Sequence, residues 1–161
     1  MKISIIAVGK IKEKYLKEAI DEYTKRLSKF CSLNIIEINE SIAKVENDAN
    51  INKVIEEEGL EILSKINSLS NNAFIFALDI DGKELSTIEL HKKISDIKLN
   101  GISEFIFIIG GSYGLSNKVK SIANLRLSFS KLTFPHQLFR VILLEQIYRV
   151  FKIDNNEPYH K

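Results

Sequence analysis

With one cysteine in 161 residues, Cys31, no internal disulfide can form, and the side chain reads as a small buried hydrophobe in a reducing compartment. Histidine is scarce. His91, His136 and His160 lie far apart and share no Cys/His ligand spacing, so no metal is expected. No apolar run reaches the roughly 18 residues that a membrane-spanning helix needs. The opening MKISIIAVGKIKEKY has an apolar stretch too short for a signal peptide and no small-residue cleavage site, which makes the cytoplasm the expected compartment. G-x-x-x-x-G-K-[ST] and G-x-G-x-x-G are both missing, which argues against a P-loop enzyme and a dinucleotide fold. Proline occurs only twice, as Pro135 and Pro158, both in the C-terminal stretch.

What is present suits one globular domain. Apolar residues make up 45% and charged residues 27%, and 161 residues are enough to bury a proper core. The net charge of +2 is unevenly spread. Residues 1–31 hold eight Lys/Arg against four Asp/Glu, residues 32–125 nine against fourteen, and residues 126–161 six against three. The two ends are basic and the middle acidic. Brought together, the ends would make a positive surface suited to phosphate backbones, although lysines also simply solubilise helix faces.

Strands and helices alternate along the chain. Ile3–Val8 reads as an apolar strand ended by Gly9, and Lys12–Lys29 as a helix with Tyr15, Leu16, Ala19, Ile20, Tyr23 and Leu27 on one face. Lys10, Lys12 and Lys14 crowd the start of that helix, where the dipole disfavours cations unless an anion binds nearby. Leu33–Ile38 alternates more and predicts a strand nearer an edge. Residues 41–50 read as loop and 51–69 as helix, whose Glu56, Glu57 and Glu58 read as a solvated face. Ala73–Asp79 and Glu104–Ile109 are continuous apolar strands, the kind buried in a parallel sheet. Ile80–Lys83 reads as a turn, and Ser86 with Glu89 as a capping box opening a helix over 87–99. After the second apolar strand come Gly110-Gly111-Ser112-Tyr113-Gly114 and a short helix over 116–123. The pattern predicts an α/β sandwich around a mostly parallel sheet.

The C-terminal stretch carries the strongest signal. A strand over 125–129 runs into a polar loop, 130–133, where Thr133 or Ser130 can cap free N–H groups. Phe134 and Pro135 follow, then a helix to about Ile153 and a polar tail, 154–161, expected to leave the helix as an extended segment. Leu138, Val141 and Ile142 form one apolar stripe of the helix. Phe139, Leu143, Ile147, Val150 and Phe151 cover much of the rest. The polar residues fall on two edges, His136/Arg140 and Glu145/Arg149/Lys152. A helix apolar nearly all round is buried on more than one side, which suggests a homodimer or else a central helix of a monomer. The 110–114 glycines follow a buried strand, where open α/β sheets bind ligands, and lack Cβ atoms that would hold a ligand away. A tight strand-to-helix turn would use them equally well.

FIIGGSYGLS (107–116), LSFSKLTFPHQLFRVILLEQIYRVFKI (127–153) and the terminal PYHK (158–161) closely resemble the bacterial large-subunit ribosomal RNA pseudouridine N3-methyltransferase family, within the SPOUT superfamily of S-adenosylmethionine-dependent methyltransferases. The opening MKISIIAVGKIKEKY is similar as well, so the resemblance covers essentially the whole chain. Lys161 stands where many members carry Arg, which keeps the charge and loses a bidentate fork. The resemblance implies a single α/β domain with a deep C-terminal trefoil knot, a homodimer, and methylation of N3 of a pseudouridine in the helix 69 region of 23S ribosomal RNA on the ribosome. It implies S-adenosylmethionine bound in bent form at Leu78, Gly110, Phe129, Ser130, Lys131, Leu132, Thr133 and Phe134. Tyr159, His160 and Arg149 are the candidate catalytic residues. Tyr159 would position the base, His160 handle the N3 proton and Arg149 contact substrate, with the tail reaching the partner's pocket. A Glu145–Arg149 pair is the plain structural role for Arg149. Without the resemblance, a non-enzymatic RNA-binding module or a protein binding another adenine nucleotide would fit the same residues.

Overall fold

The computed structural model describes residues 1–69 and 72–159. The alternation is realised as β1 (Lys2–Val8), α1 (Lys14–Leu27), β2 (Ser32–Ile38), α2 (Asp48–Leu69), β3 (Phe74–Glu84), α3 (Thr87–Leu99), β4 (Glu104–Ile109), α4 (Asn117–Ile122), β5 (Leu125–Ser128) and α5 (His136–Asp154). The five strands make one parallel sheet in the order β2-β1-β4-β3-β5. β2 lies on the edge, as its alternating pattern predicts.

Alternation within the strands sorts the helices onto two faces. Ile3, Ile5, Phe76, Leu78, Phe105, Phe107 and Leu127 pack under α1, α3 and α5. Ile6, Val8, Ala77, Ile106 and Ile108 pack under α2 and α4. The connections through α1 and α3 step one way along the sheet and those through α2 and α4 step back. This is the arrangement that right-handed crossovers impose. α5 leaves β5 at the sheet edge and comes to rest between α1 and α3, with Leu143, Leu144, Ile147, Val150 and Phe151 in the same core.

Several local expectations are corrected. Residues 80–83 are not a turn: β3 bends and continues, and its register against β5 jumps between Leu78 and Lys83. Gly82 allows this, because a Cβ there would stand 2.7 Å from the Arg126 carbonyl. α2 begins at Asp48 because the Asn47 side chain accepts the Asn50 N–H at 2.9 Å. α1 begins only at Lys14, since the Lys12 N–H is given to Gln137 Oε1 at 2.9 Å. β5 stops at Ser128, whose hydroxyl donates to the Ser130 carbonyl at 3.1 Å. Neither Thr133 nor Ser130 caps α5. Pro135 is its N-cap, and Ser130 Oγ instead accepts the Leu132 N–H at 2.9 Å. The Ser86–Glu89 capping box is present as expected.

Glu58, read as part of a solvated face, is buried at 3% exposure, and Arg140, on one polar edge of its helix, is buried at 1%. The tail does not leave as an extended strand either. Asn156 turns at φ 53°, and Tyr159 folds back to pack edge-on against Tyr148 of its own α5, ring centroids 5.1 Å apart. His160 and Lys161 lie outside the described residues.

Candidate active site

The C-terminal ends of β3, β4 and β5 open into a cavity of about 230 Å³. Leu78 just before the β3 bend, Ile109 at the end of β4 and Leu127 near the end of β5 form its floor. Gly110, Gly111, Ser112 and Gly114 form one wall, and Phe129, Ser130, Leu132, Thr133 and Phe134 the other. His136 and Phe139, in the first turn of α5, close the side next to β1. Parallel sheets bind ligands at this end because the connecting loops splay apart there.

Seven of the eight expected cofactor positions line this cavity: Leu78, Gly110, Phe129, Ser130, Leu132, Thr133 and Phe134. Lys131 does not. Its ammonium reaches out to the Ile80 carbonyl at 3.2 Å and lies 4.0 Å from Glu84, so it ties the loop to the β3 bend from outside. The aromatic rings give the wall its shape: Phe129 meets Phe139 edge-on at 5.1 Å and Phe134 stacks on Phe139 at 5.9 Å. Leu132 is 72% exposed, so one rim of the cavity is apolar and open.

The glycines make a tight turn that also lines the cavity. The Gly114 N–H bonds to the Gly111 carbonyl at 3.1 Å, and Gly114 sits at φ 85°. A Cβ on Gly110 would stand 2.9 Å from the Gly114 carbonyl. The turn therefore requires glycine at both positions, and the same bare backbone forms the cavity wall.

Support comes from behind the wall. Ser112 Oγ donates to Glu40 Oε1 at 2.7 Å and the Tyr113 hydroxyl to Glu46 Oε1 at 3.1 Å. Glu58 Oε1 accepts the Ser41 N–H at 3.0 Å, while Oε2 presses on Gly111 and has no hydrogen-bond partner among the described residues. Burial raises the pKa of Glu58, and the Ser41 N–H opposes the shift. Near the cavity, Asp79 pairs with Arg126 at 2.8 Å and Lys120 at 3.3 Å. Burial alone would raise its pKa, but these cations hold it below the usual carboxylate range. Arg140 fixes the neighbouring end of β1. One guanidinium nitrogen donates to Glu37 at 2.6 Å, and another to the Val8 carbonyl at 2.9 Å and the Gly9 carbonyl at 2.6 Å.

Arg149 and Tyr159 are not brought to this cavity within one chain. Arg149 lies thirteen residues beyond His136 on α5, which at 1.5 Å per residue is about 20 Å. It pairs with Glu145, and its guanidinium carbon stands 5.0 Å from the Tyr159 ring centre. Glu58, Arg140 and His136 carry no local signal that separates them from solvated helix residues. The orphan carbonyls of β1, 131 and 132 residues before Arg140, are what bury its charge. Among the described residues no group of three His, Cys, Asp or Glu could hold a metal ion, and no helix is long and apolar enough to cross a membrane.

A family model described as "Predicted SPOUT methyltransferase" matches residues 1–160. Ribosomal RNA large subunit methyltransferase H of Clostridium botulinum strain 657 is 56% identical, with all of both chains covered. Its namesake in Clostridioides difficile strain 630 is 54% identical, again over the full length of both. Among solved structures, a probable methylase family protein from Haemophilus influenzae Rd KW20 aligns over 99% of this chain and 70% of its own. The TM-score is 0.60 at 10% identity, a likeness of fold.

Proposed function

Since the chain belongs to the SPOUT methyltransferase family, we propose that it uses S-adenosylmethionine to methylate large-subunit ribosomal RNA, at N3 of a pseudouridine in the helix 69 region of 23S RNA. One observation carries this reading: the cavity at the sheet's C-terminal end is lined by seven of the eight positions expected to hold the cofactor. The residues there suit the group. Leu78, Ile109, Leu127, Phe129 and Phe134 offer an apolar slot for a purine, and the backbone of 129–134 offers carbonyl and N–H groups to its edge.

Bound there, S-adenosylmethionine would supply a methyl group already activated on a sulfonium, so no Lewis acid is needed. The chain's own work is to exclude water with Phe129, Phe134 and Phe139, to hold the cofactor rigidly, and to align the base. Such alignment contributes on the order of 7–11 kcal/mol in well-oriented model reactions. A deep knot belongs to the same proposal. To pass from β5 at the edge to its place between α1 and α3, the chain must cross the 79–86 connection, and the loop 129–134 and Leu78–Ile80 line one cavity. Threading beneath that connection would make the knot.

The proposal includes a homodimer. The stripe Leu138, Val141 and Ile142 is only partly covered by its own chain, and Leu138 is 39% exposed. An antiparallel pairing of two α5 helices would bring each Arg149 and tail toward the other chain's His136 end. Tyr159, His160, Lys161 and Arg149 then act in trans on the bound base and its phosphates. Lys10 and Lys12 belong to the loop whose N–H at Lys12 is tied to Gln137, beside the cavity, which suits a phosphate-binding role. The test is methyl transfer from labelled cofactor into ribosomes that lack this methyl group, with and without the target pseudouridine. Incorporation confined to the pseudouridine-bearing ribosomes is expected. Tight RNA binding without any incorporation would instead make the protein a binding module.

A further inference from the structure

Resting on that reading, we propose that His136 is a catalytic residue: its ring, on the wall of the cofactor cavity, hydrogen-bonds to N3–H of the target base and takes its proton. The polar side chains of the cavity point to it by their existing partners. Asp79 is held by Arg126 and Lys120, and Ser112 donates to Glu40. Ser128 donates to the Ser130 carbonyl, and Ser130 Oγ accepts from Leu132. Thr133 and His136 alone among these lining residues make no hydrogen bond to the described protein, and only the imidazole can act as a base.

Its place in the fold suits the role. His136 is the first residue of α5, directly after Pro135, so the ring is carried on a rigid element and not on the preceding loop. It is half-buried between the cavity and Gly9, which begins the lysine-rich loop. A Cβ on Gly9 would stand 3.2 Å from Nε2 and 3.6 Å from Glu40 Oε2, so the glycine is what gives the ring room. An RNA strand gripped by Lys10 and Lys12 would present a base to the cavity past this ring. Glu40 lies across Gly9 from the ring and Arg140 one turn further along α5, and Arg140 is committed to the Val8 and Gly9 carbonyls and Glu37. In the transfer, the N3–H proton goes to a ring nitrogen as the N3 electron pair bonds the methyl carbon. The electrons of the broken carbon–sulfur bond stay on sulfur, and the imidazolium then yields its proton to water. The partner's tail is left to hold the base and its phosphates.

The experiment uses the full-length protein with His136→Ala and His136→Gln. Calorimetry with S-adenosylhomocysteine should give affinities within about twofold of wild type, while kcat on ribosomes falls by roughly 10²–10⁴-fold, the usual share of a general base. Added imidazole should restore part of the rate to His136→Ala and none to His160→Ala. By NMR, the His136 ring resonances should shift when a pseudouridine hairpin joins the S-adenosylhomocysteine complex, and the N3-methylated hairpin should not reproduce the shift. Full activity of both variants would overturn the proposal, as would loss of S-adenosylhomocysteine binding that accounts for the lost rate, which would make the ring only a wall. A wild-type protein that methylates no ribosome would instead overturn the function on which the proposal rests.

Discussion

Arg140 carries its charge into the interior because three acceptors wait there. Burial lowers its pKa, with Glu37 opposing, yet guanidinium remains charged at any physiological pH. Arg140→Met would keep most of the packing, take this donor from the Val8 and Gly9 carbonyls, and leave Glu37 with only the Ile11 N–H. The expected loss is about 3 kcal/mol, read from the urea midpoint. Glu58 makes the opposite prediction. Its folded pKa lies above the unfolded value of about 4.3, so the folded state binds that proton more tightly. The resulting stability is fully present below the unfolded pKa and is lost as pH rises through the folded one. Glu58→Gln should therefore gain on wild type as pH rises above the unfolded value, as compared by unfolding at a series of pH values. A stability difference independent of pH would mean that the carboxylate is well solvated. Cys31, buried against Leu27, has its thiol pushed up to about 11 by burial and should resist alkylation in the native state.

Helix α2 meets the cavity wall through two glycine contacts. Beside Glu58 and Gly111, a Cβ on Gly59 would stand 2.3 Å from Ser116 Oγ and 2.8 Å from its Cβ, at the cap of α4. Gly59→Ala should thus destabilise by about 1–3 kcal/mol despite alanine's better helix propensity. Ser116→Gly loses the α4 cap but makes room, so the double variant should recover part of the loss, a coupling of about 1 kcal/mol in a double-mutant cycle. Strict additivity would show that the two helices have room to separate. Elements of this kind differ in how far their sequence reveals them. The runs 73–79 and 104–109 announce buried parallel strands, and Ser86 with Glu89 announces α3, because burial on both faces and capping are local properties. The β3 bend looks like a turn because Asp81-Gly82 has turn chemistry. Its pairing with β5 is decided 44 residues away, where Lys83 faces Leu127 and Glu84 faces Ser128. The wall 129–134 is legible only through family resemblance, since no periodicity marks a loop whose role is to leave its backbone free. His136 and Arg140 share one helix edge four residues apart, yet one faces the cavity and the other the core, and only the neighbouring β1 end makes that difference.

At the scale of the assembly, the distance between the cavity and the tail of the same chain sets the strongest test. One variant lacks residues 158–161, and the other has its cavity blocked by Gly110→Arg. Each should be inactive alone, and mixing should restore activity through one complete site per heterodimer. Verified heterodimers without activity would refute action in trans, and full activity of the truncated protein would refute any role for the tail. Replacing Val141 and Ile142 by Asp should give monomers in sedimentation without unfolding, because both side chains are only half-covered. Neutralising Lys10, Lys12 and Lys14 should flatten the log–log salt dependence of RNA binding by about 2 to 3, at roughly 0.7–0.9 per phosphate contact, with cofactor affinity unchanged.

The cavity draws on residues 78–80, 109–115 and 127–139, three segments separated by whole crossovers. During synthesis the cavity cannot be completed until β5 and α5 have been made and docked, although β1 to β4 can already pair. An interrupted translation product would thus collapse around a sheet yet have no pocket, and an immature chain could neither sequester cofactor nor react with stray RNA. Competence arrives in a single late event. Cofactor binding should report completion of the fold in pulse-labelled chains, and variants stalled before residue 127 should show none.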